Sequence, residues 1–317
     1  MKEKIKIKNR YYKFSQFLKE RYGEKVWKIP VDAGFSCPNK DKKTGEGGCI
    51  FCRLDSFSQV QSQQGMDVST QIREGLRLGR ERFGLKKFIV YFQASTNTFA
   101  PVPLLRKLFE QAITYDGVVG LSISTRPDCL PEPVLSLLRE LAQRTDLWVE
   151  LGLQSIHDRT LKILNRRHNY ADYLRAVEKL HSLPLRICTH LMLGLPGESR
   201  DDLLQTAHEI SRSGIDEVKL HPLLVLKDTP LADMFYNGEF TALSLEQYIS
   251  LACDFIERMP PEMVMQRLTA EAPADILIAP RWSMNKMRVL TGIENELSRR
   301  QTKQGEKFLL RRGGQKN

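Results

Sequence analysis

A repeated alternation of short apolar runs with longer amphipathic segments most constrains the fold of this chain. The predicted strands are residues 26–32, 87–93, 118–124, 147–154, 185–193 and 217–224, and a further short strand is expected at 263–268. Helices are predicted in the segments between and after these strands, and they end near residues 83, 115, 144, 164, 183, 213, 257 and 300. Ser69 or Thr70 is expected to cap the first of these helices.

Six strand–helix units with short apolar strands predict a parallel sheet covered by helices on its outer face. Right-handed crossovers in sequential order curl such a sheet toward a barrel. Because six units fall short of the eight of a closed barrel, we expect an α/β fold with a partial (β/α)6 TIM-like barrel. A doubly wound open sheet is the alternative, and the lack of a Gly-rich loop after the first strand counts against it.

Length and composition indicate a folded chain with extensions at both ends. It has 317 residues, of which 41% are hydrophobic and 27% charged, so wholesale disorder is not expected. The expected division is a basic N-terminal extension over 1–25, a barrel core over 26–270 and a basic, helical C-terminal extension over 271–317. No apolar run reaches the roughly 18 residues of a membrane span, and residues 1–10 lack a signal-peptide core. A cytoplasmic protein without membrane contact is therefore expected.

The net charge of +10 is concentrated at the two ends of the sequence. Lysines and arginines outnumber acidic residues in 1–28 and in 299–317, and aromatic residues lie among the charges of the first segment. Phosphate contact combined with base stacking is one interpretation. The other is a solvated tail followed by an amphipathic helix that packs its aromatic side chains inward.

Three clustered cysteines, Cys37, Cys49 and Cys52, are the strongest chemical signal. A structural zinc site takes four protein ligands, and an ordinary iron–sulfur cluster takes four cysteines. Three cysteines would leave one iron with an open position. A thiol redox motif at Cys49 and Cys52 would leave Cys37 unused, and a non-catalytic metal-binding nucleic-acid module is a further alternative. The scattered Cys129, Cys188 and Cys253 are expected to be buried core thiols.

Polar residues follow the predicted strands at the end where barrel enzymes collect their catalytic groups. They are the cysteine loop, 93–98, 124–128, Glu150 with 154–155, His190 with 194–198, and Lys219 with His221. Single clusters of this kind are often helix caps or turns. Their convergence on one rim with a metal-binding loop predicts an active site there.

Several motifs resemble the radical S-adenosylmethionine (radical SAM) superfamily. The Cys37-x11-Cys49-x2-Cys52 spacing, with Phe51 before the last cysteine, is similar to its Elp3-like branch. Further motifs resemble the YhcC/YtqA family, on its MnmL-like side: Val31-Asp-Ala-Gly-Phe-Ser-Cys-Pro-Asn39, Thr125-Arg-Pro-Asp-Cys-Leu130, Glu150-Leu-Gly-Leu-Gln154, Leu193-Gly-Leu-Pro-Gly-Glu198 and Trp282-Ser-Met-Asn-Lys286. Ser95, Arg167 and Gln266 depart from the usual family residues.

The resemblance implies cofactors and the residues that hold them. Cys37, Cys49 and Cys52 would bind a [4Fe–4S] cluster whose open iron takes S-adenosylmethionine, which is then cleaved to a 5′-deoxyadenosyl radical. The residues implied to contact S-adenosylmethionine are Ser95, Thr96, Asn97, Ser124, Arg126, Glu150, Gln154 and Gly194. An electron donor such as flavodoxin or ferredoxin is also implied.

The family resemblance further implies a tRNA substrate. Its expected reaction converts 5-carboxymethylaminomethyl-uridine at the wobble position to 5-aminomethyl-uridine. The candidates for binding the substrate carboxylate are Arg166, Arg167, Arg267 and Lys286, in no order. A protein or small-metabolite substrate for the same radical chemistry is the alternative.

Overall fold

The computed structural model describes residues 9–40, 47–53 and 65–308. A parallel sheet of 7 strands forms its centre, in the order β1 (Val26–Val31), β2 (Lys87–Phe92), β3 (Val118–Thr125), β4 (Asp146–Gln154), β5 (Arg186–Leu193), β6 (Glu217–Pro222) and β8 (Val264–Arg267). Strands that follow one another in the chain are thus neighbours, and the sheet curls into a partial barrel. The predicted α/β partial barrel is confirmed.

The described chain begins with helix α1 and alternates strands and helices thereafter. The strands are β1 Val26–Val31, β2 Lys87–Phe92, β3 Val118–Thr125, β4 Asp146–Gln154, β5 Arg186–Leu193, β6 Glu217–Pro222, β7 Val225–Leu226, β8 Val264–Arg267 and β9 Leu277–Ala279. The helices are α1 Phe14–Tyr22, α2 Val68–Phe83, α3 Val102–Ala112, α4 Glu132–Ala142, α5 Asp158–Ile163, α6 Tyr170–His181, α7 Arg200–Arg212, α8 Pro230–Tyr236, α9 Leu245–Ile256 and α10 Lys286–Arg299, with a 3-10 turn at Arg281–Met284.

The strand predictions agree with the structure, and the expected short strand after residue 262 is β8, the seventh strand of the sheet. The cap of α2 differs from the prediction. Asp67 is the N-cap, and its side chain accepts a hydrogen bond from the backbone of Thr70. Ser69 and Thr70 lie inside the helix, because the Asp67 carboxylate already satisfies the backbone N–H of Thr70, one of the free donors at the start of the helix.

Helix α1 closes the end of the barrel formed by the amino ends of the strands. Tyr12 and Phe17 are buried against Ile89, Trp148 and other residues of the barrel floor. The backbone of Tyr12 accepts a hydrogen bond from Met265 in β8. The aromatic residues of this segment therefore pack inward, as the second interpretation of the basic end expects.

A smaller apolar cluster lies beside the cysteine loop. It is formed by Leu164, Leu195, Leu223, Val225, Leu231, Ala232 and Phe240, with Ile50 and Phe51 packed against it. Strands β7 and β9 pair antiparallel in the same region, and α8 begins directly after β7. These elements, which were not predicted, support the loop that carries Cys49 and Cys52.

Among the described helices, none combines the length and the apolar character that crossing a bilayer requires.

Candidate active site

A cavity of about 430 Å³ opens at the carboxyl ends of the strands. Its walls come from the cysteine loop and from the ends of β1 through β6 and β8. Cys37, Cys49 and Cys52 all line it. The chain therefore brings the three thiols and most of the polar strand ends to one space, as the clustering of polar residues predicts.

The cysteine loop is fixed by hydrogen bonds to distant parts of the chain. The backbone of Ile50 donates to Leu164 (3.2 Å) and accepts from Leu231 (3.0 Å). The side-chain amide of Asn165 donates to the carbonyl of Gly48 at 2.7 Å. Because these partners belong to the turn after α5 and to α8, the position of the thiols depends on the packing of several elements.

Two donors point at the sulfur of Cys49. Asn39 Nδ2 lies 3.3 Å from Cys49 Sγ, and Arg166 Nη1 lies 3.4 Å from it. Both donors stabilise a negatively charged sulfur, the form in which cysteine binds metal. Burial raises the pKa of Cys52, so metal binding would have to deprotonate this thiol. The donor set suits a cluster held by three thiolates.

Buried polar atoms without partners mark the part of the cavity next to the thiols. Ser95 Oγ, Arg126 Nη1 and Gln154 Oε1 have no hydrogen bond to the described residues. Ser95 and Gln154 also adopt positive φ angles of 65° and 76°, which are costly for residues other than glycine. Buried orphan atoms on strained backbone are expected where a polar ligand completes the site.

Five of the residues predicted to contact S-adenosylmethionine line this cavity: Ser95, Thr96, Ser124, Arg126 and Gln154. Arg126 is held by a forked ion pair with Asp128, at 2.9 and 2.8 Å. The pairing lowers the pKa of Asp128 against the effect of its burial, so both groups are charged.

The other three predicted residues, Asn97, Gly194 and Glu150, do not line this cavity. Asn97 is fully buried and donates to the carbonyls of Phe92, Ala94 and Ser124, which ties β2 to β3. Gly194 has a φ of 79° and lies against Leu243, where it lines a separate cleft.

Glu150 lies beneath the cavity at the centre of an ion-pair network. Its carboxylate accepts from Lys28 (2.5 Å) and Lys219 and is 2.6 Å from His190 Nε2. Burial opposes ionisation of Glu150, but the two lysines outweigh it and hold the pKa well below 4.5. Burial and Lys219 lower the pKa of His190 to about 4, so this histidine is neutral at pH 7.

The same network contains residues whose role in it is not predicted from the sequence. Tyr91 accepts from Lys219 at 2.9 Å, and both lysines lie over its ring, at 4.3 Å and 4.2 Å from the centroid. Lys28 also donates to Gln266 at 3.1 Å, which links β1 to β8 across the barrel. Glu150, Cys188 and His190 have the geometry of a metal site, but the lysines already neutralise this carboxylate.

A curled parallel sheet with three thiols and orphan polar atoms at its carboxyl end defines a radical SAM partial barrel. The chain belongs to the radical SAM superfamily, within the family of YtqA and YhcC. The model of the radical SAM superfamily matches residues 44–210, and that of the radical SAM C-terminal domain matches 215–299. Members bind a [4Fe–4S] cluster and S-adenosylmethionine, and the thiols and cavity described here fit both.

The full-length relatives include YtqA of Bacillus subtilis (strain 168) and YhcC of Escherichia coli (strain K12). YtqA is 42% identical over 94% of this chain and 93% of its own length. YhcC is 39% identical over 90% of this chain and 91% of its own length. A tRNA uridine(34) acetyltransferase of Methanocaldococcus infernus is 33% identical over 50% of this chain and 30% of its own length.

Among solved structures, the fold is similar to that of the archaeal Methanocaldococcus infernus Elp3. The TM-score is 0.65 with 21% identity, over 88% of this chain and 64% of that chain. At this identity the likeness concerns the fold.

Proposed function

We propose that this radical SAM enzyme modifies the wobble uridine of tRNA, converting 5-carboxymethylaminomethyl-uridine to 5-aminomethyl-uridine. The observation that carries the proposal is the similarity of half of the chain to tRNA uridine(34) acetyltransferases. The net change would oxidise the N–CH2 carbon by two electrons to an imine, with S-adenosylmethionine as the oxidant that ends as methionine and 5′-deoxyadenosine. Water would then hydrolyse the imine, which leaves the amine on the base and releases the carboxymethyl group as glyoxylate.

The cofactors and the protein have separate parts in this proposal. When bound, the cluster and S-adenosylmethionine supply one-electron chemistry that reaches unactivated C–H bonds. Cys37, Cys49 and Cys52 hold the cluster, while Ser95 and Gln154 offer buried polar atoms to S-adenosylmethionine. The electron is proposed to come from a small donor protein such as flavodoxin or ferredoxin.

The charge of the cavity supports an anionic substrate. The cationic residues that line it are Lys40, Arg53, Arg126, Arg166, Lys219 and Arg267. Among the described lining residues, Glu271 is the acidic one, and it is exposed. A cleft lined mainly by one sign of charge raises the local concentration of oppositely charged ligands, which suits both a carboxylate and RNA phosphates.

The nucleoside composition of tRNA from a deletion strain tests this function. We expect 5-carboxymethylaminomethyl-uridine to accumulate and 5-aminomethyl-uridine to decrease, measured by mass spectrometry, with restoration by the wild-type gene but not by a Cys49→Ser variant. Unchanged levels of both nucleosides would show that the enzyme acts on another substrate.

A further inference from the structure

We infer that Arg267, together with His221, forms the subsite that binds the carboxylate of the substrate's carboxymethylaminomethyl group. The inference rests on the proposed function, because it assigns one part of that substrate to one part of the cavity. It also selects one of the four cationic residues that the sequence left unranked.

Both residues are at the strand ends farthest along the sheet from β1. Arg267 is the last residue of β8, and its Cα is in register with that of Lys219 in β6. His221 is two residues further along β6. Both side chains line the cavity. The thiols and the orphan atom of Ser95 belong to the segments that follow β1 and β2, and Gln154 is the last residue of β4. This leaves the β6–β8 wall for the substrate.

The other candidates are less suitable for a carboxylate. Arg167 and Lys286 are exposed and do not line the cavity. Arg166 lines it, but its guanidinium donates to Cys49 Sγ and to the carbonyl of Gly152. The guanidinium of Arg267, in contrast, makes no hydrogen bond or ion pair with any residue in the described parts of the chain.

The remaining cations of the cavity have partners in the protein. Arg126 is paired with Asp128, and Lys219 with Glu150. Lys40 donates to the carbonyl of Cys52 at 3.0 Å. The guanidinium of Arg267 therefore has the donor fork that a carboxylate matches with two parallel hydrogen bonds.

His221 adds a second polar group beside Arg267. Its Nε2 atom is buried without a partner among the described residues, and its ring lies 5.7 Å from that of His190. Burial, followed by the positive charge of Arg267, holds the pKa of His221 well below 6.5. The neutral ring in its Nε2–H tautomer donates one hydrogen bond without adding a charge.

A pair of nucleosides that differ only in the carboxylate tests the subsite without RNA. Binding of 5-carboxymethylaminomethyl-uridine and 5-aminomethyl-uridine to the reconstituted holoprotein with S-adenosylmethionine is measured by ligand-observed NMR. We expect wild type to prefer the first by about tenfold, the effect of a charge-assisted hydrogen bond. Arg267→Gln should remove this preference, and Arg267→Lys should keep part of it.

Arg167→Gln is the matched control, because Arg167 is an exposed arginine that does not line the cavity. It should leave the preference unchanged. Equal binding of both nucleosides by wild type, no binding of the carboxylated one, or a preference that survives Arg267→Gln would overturn the subsite.

Turnover of tRNA by the same proteins separates this inference from the proposed function. If wild type prefers the carboxylated nucleoside through Arg267 but converts no tRNA, the subsite stands and the tRNA function fails. If wild type converts tRNA and Arg267→Gln does so with unchanged kcat/KM, the function stands and the subsite fails.

Discussion

Arg166 is the residue whose surroundings differ most from what its sequence context suggests. It lies in a basic run and is a candidate for binding an anion. In the structure its guanidinium donates to Cys49 Sγ at 3.4 Å and to the carbonyl of Gly152 at 2.5 Å, and its Nε lies 3.2 Å from His168 Nε2. A cation that donates to a cluster thiolate favours the state with the additional electron, and thereby raises the reduction potential.

Replacing Arg166 should therefore lower the potential of the cluster. We expect Arg166→Gln to lower it by on the order of 60 mV, the one-electron equivalent of a tenfold change in the equilibrium. Redox titration followed by electron paramagnetic resonance measures the shift at constant iron content.

Arg167→Gln is the control, because this neighbouring arginine is exposed and its Nε donates to Asn165 Oδ1 at 3.4 Å. The same potential in Arg166→Gln and wild type would mean that the contact with Cys49 has no electrostatic effect on the cluster.

Individual site residues differ in how far the sequence reveals them. Ser95, Thr96 and Arg126 follow apolar strands and Ser124 lies near the end of one, and such positions reach the cavity because parallel strands end at one rim. The contact of Arg166 with Cys49 joins residues 117 positions apart. It depends on the packing of the turn after α5 against the cysteine loop, which no local pattern encodes.

At the scale of elements, the sheet was predictable and the support of the cysteine loop was not. The strands are buried on both faces, so they appear as nearly continuous apolar runs. Strands β7 and β9 have 2 and 3 residues and helix α8 has 7 residues, too few for a clear hydrophobic period. These short elements nevertheless provide the cluster of side chains and the backbone of Leu231 that hold Ile50.

Shortening Leu231 should loosen the cysteine loop more than it affects the barrel. Leu231 is fully buried in the cluster beside the loop. We expect the Leu231→Ala protein to lose its iron–sulfur cluster several-fold faster under a chelator, because the void left by the shortened side chain allows the cysteine loop to move. The loss of iron–sulfur absorbance with time measures this rate.

Leu137→Ala is the matched control, since Leu137 is equally buried but lies in α4 within the main core. Both changes should lower the free energy of unfolding by about 2–5 kcal/mol. Equal rates of cluster loss in the two variants would show that Leu231 has no particular role in holding the loop.

At the scale of the whole molecule, one end of the barrel is closed and the other carries the cavity. Helix α1 and the aromatic residues around Trp148 fill the closed end. The Glu150 network lies between this floor and the cavity, where Lys28 links β1 to Gln266 of β8. The aromatic residues Tyr12 and Phe17 are therefore structural, and any contact of this end with RNA would depend on its charges.

The most direct test of the account is the anaerobic reaction of the reconstituted enzyme with reductant, S-adenosylmethionine and tRNA that carries 5-carboxymethylaminomethyl-uridine. Mass spectrometry quantifies 5′-deoxyadenosine and the modified nucleosides together. The account predicts that both 5′-deoxyadenosine and 5-aminomethyl-uridine form, and that Cys49→Ser abolishes both. Formation of 5′-deoxyadenosine with an unchanged tRNA would contradict the proposed substrate, and failure to form it at all would contradict the radical chemistry.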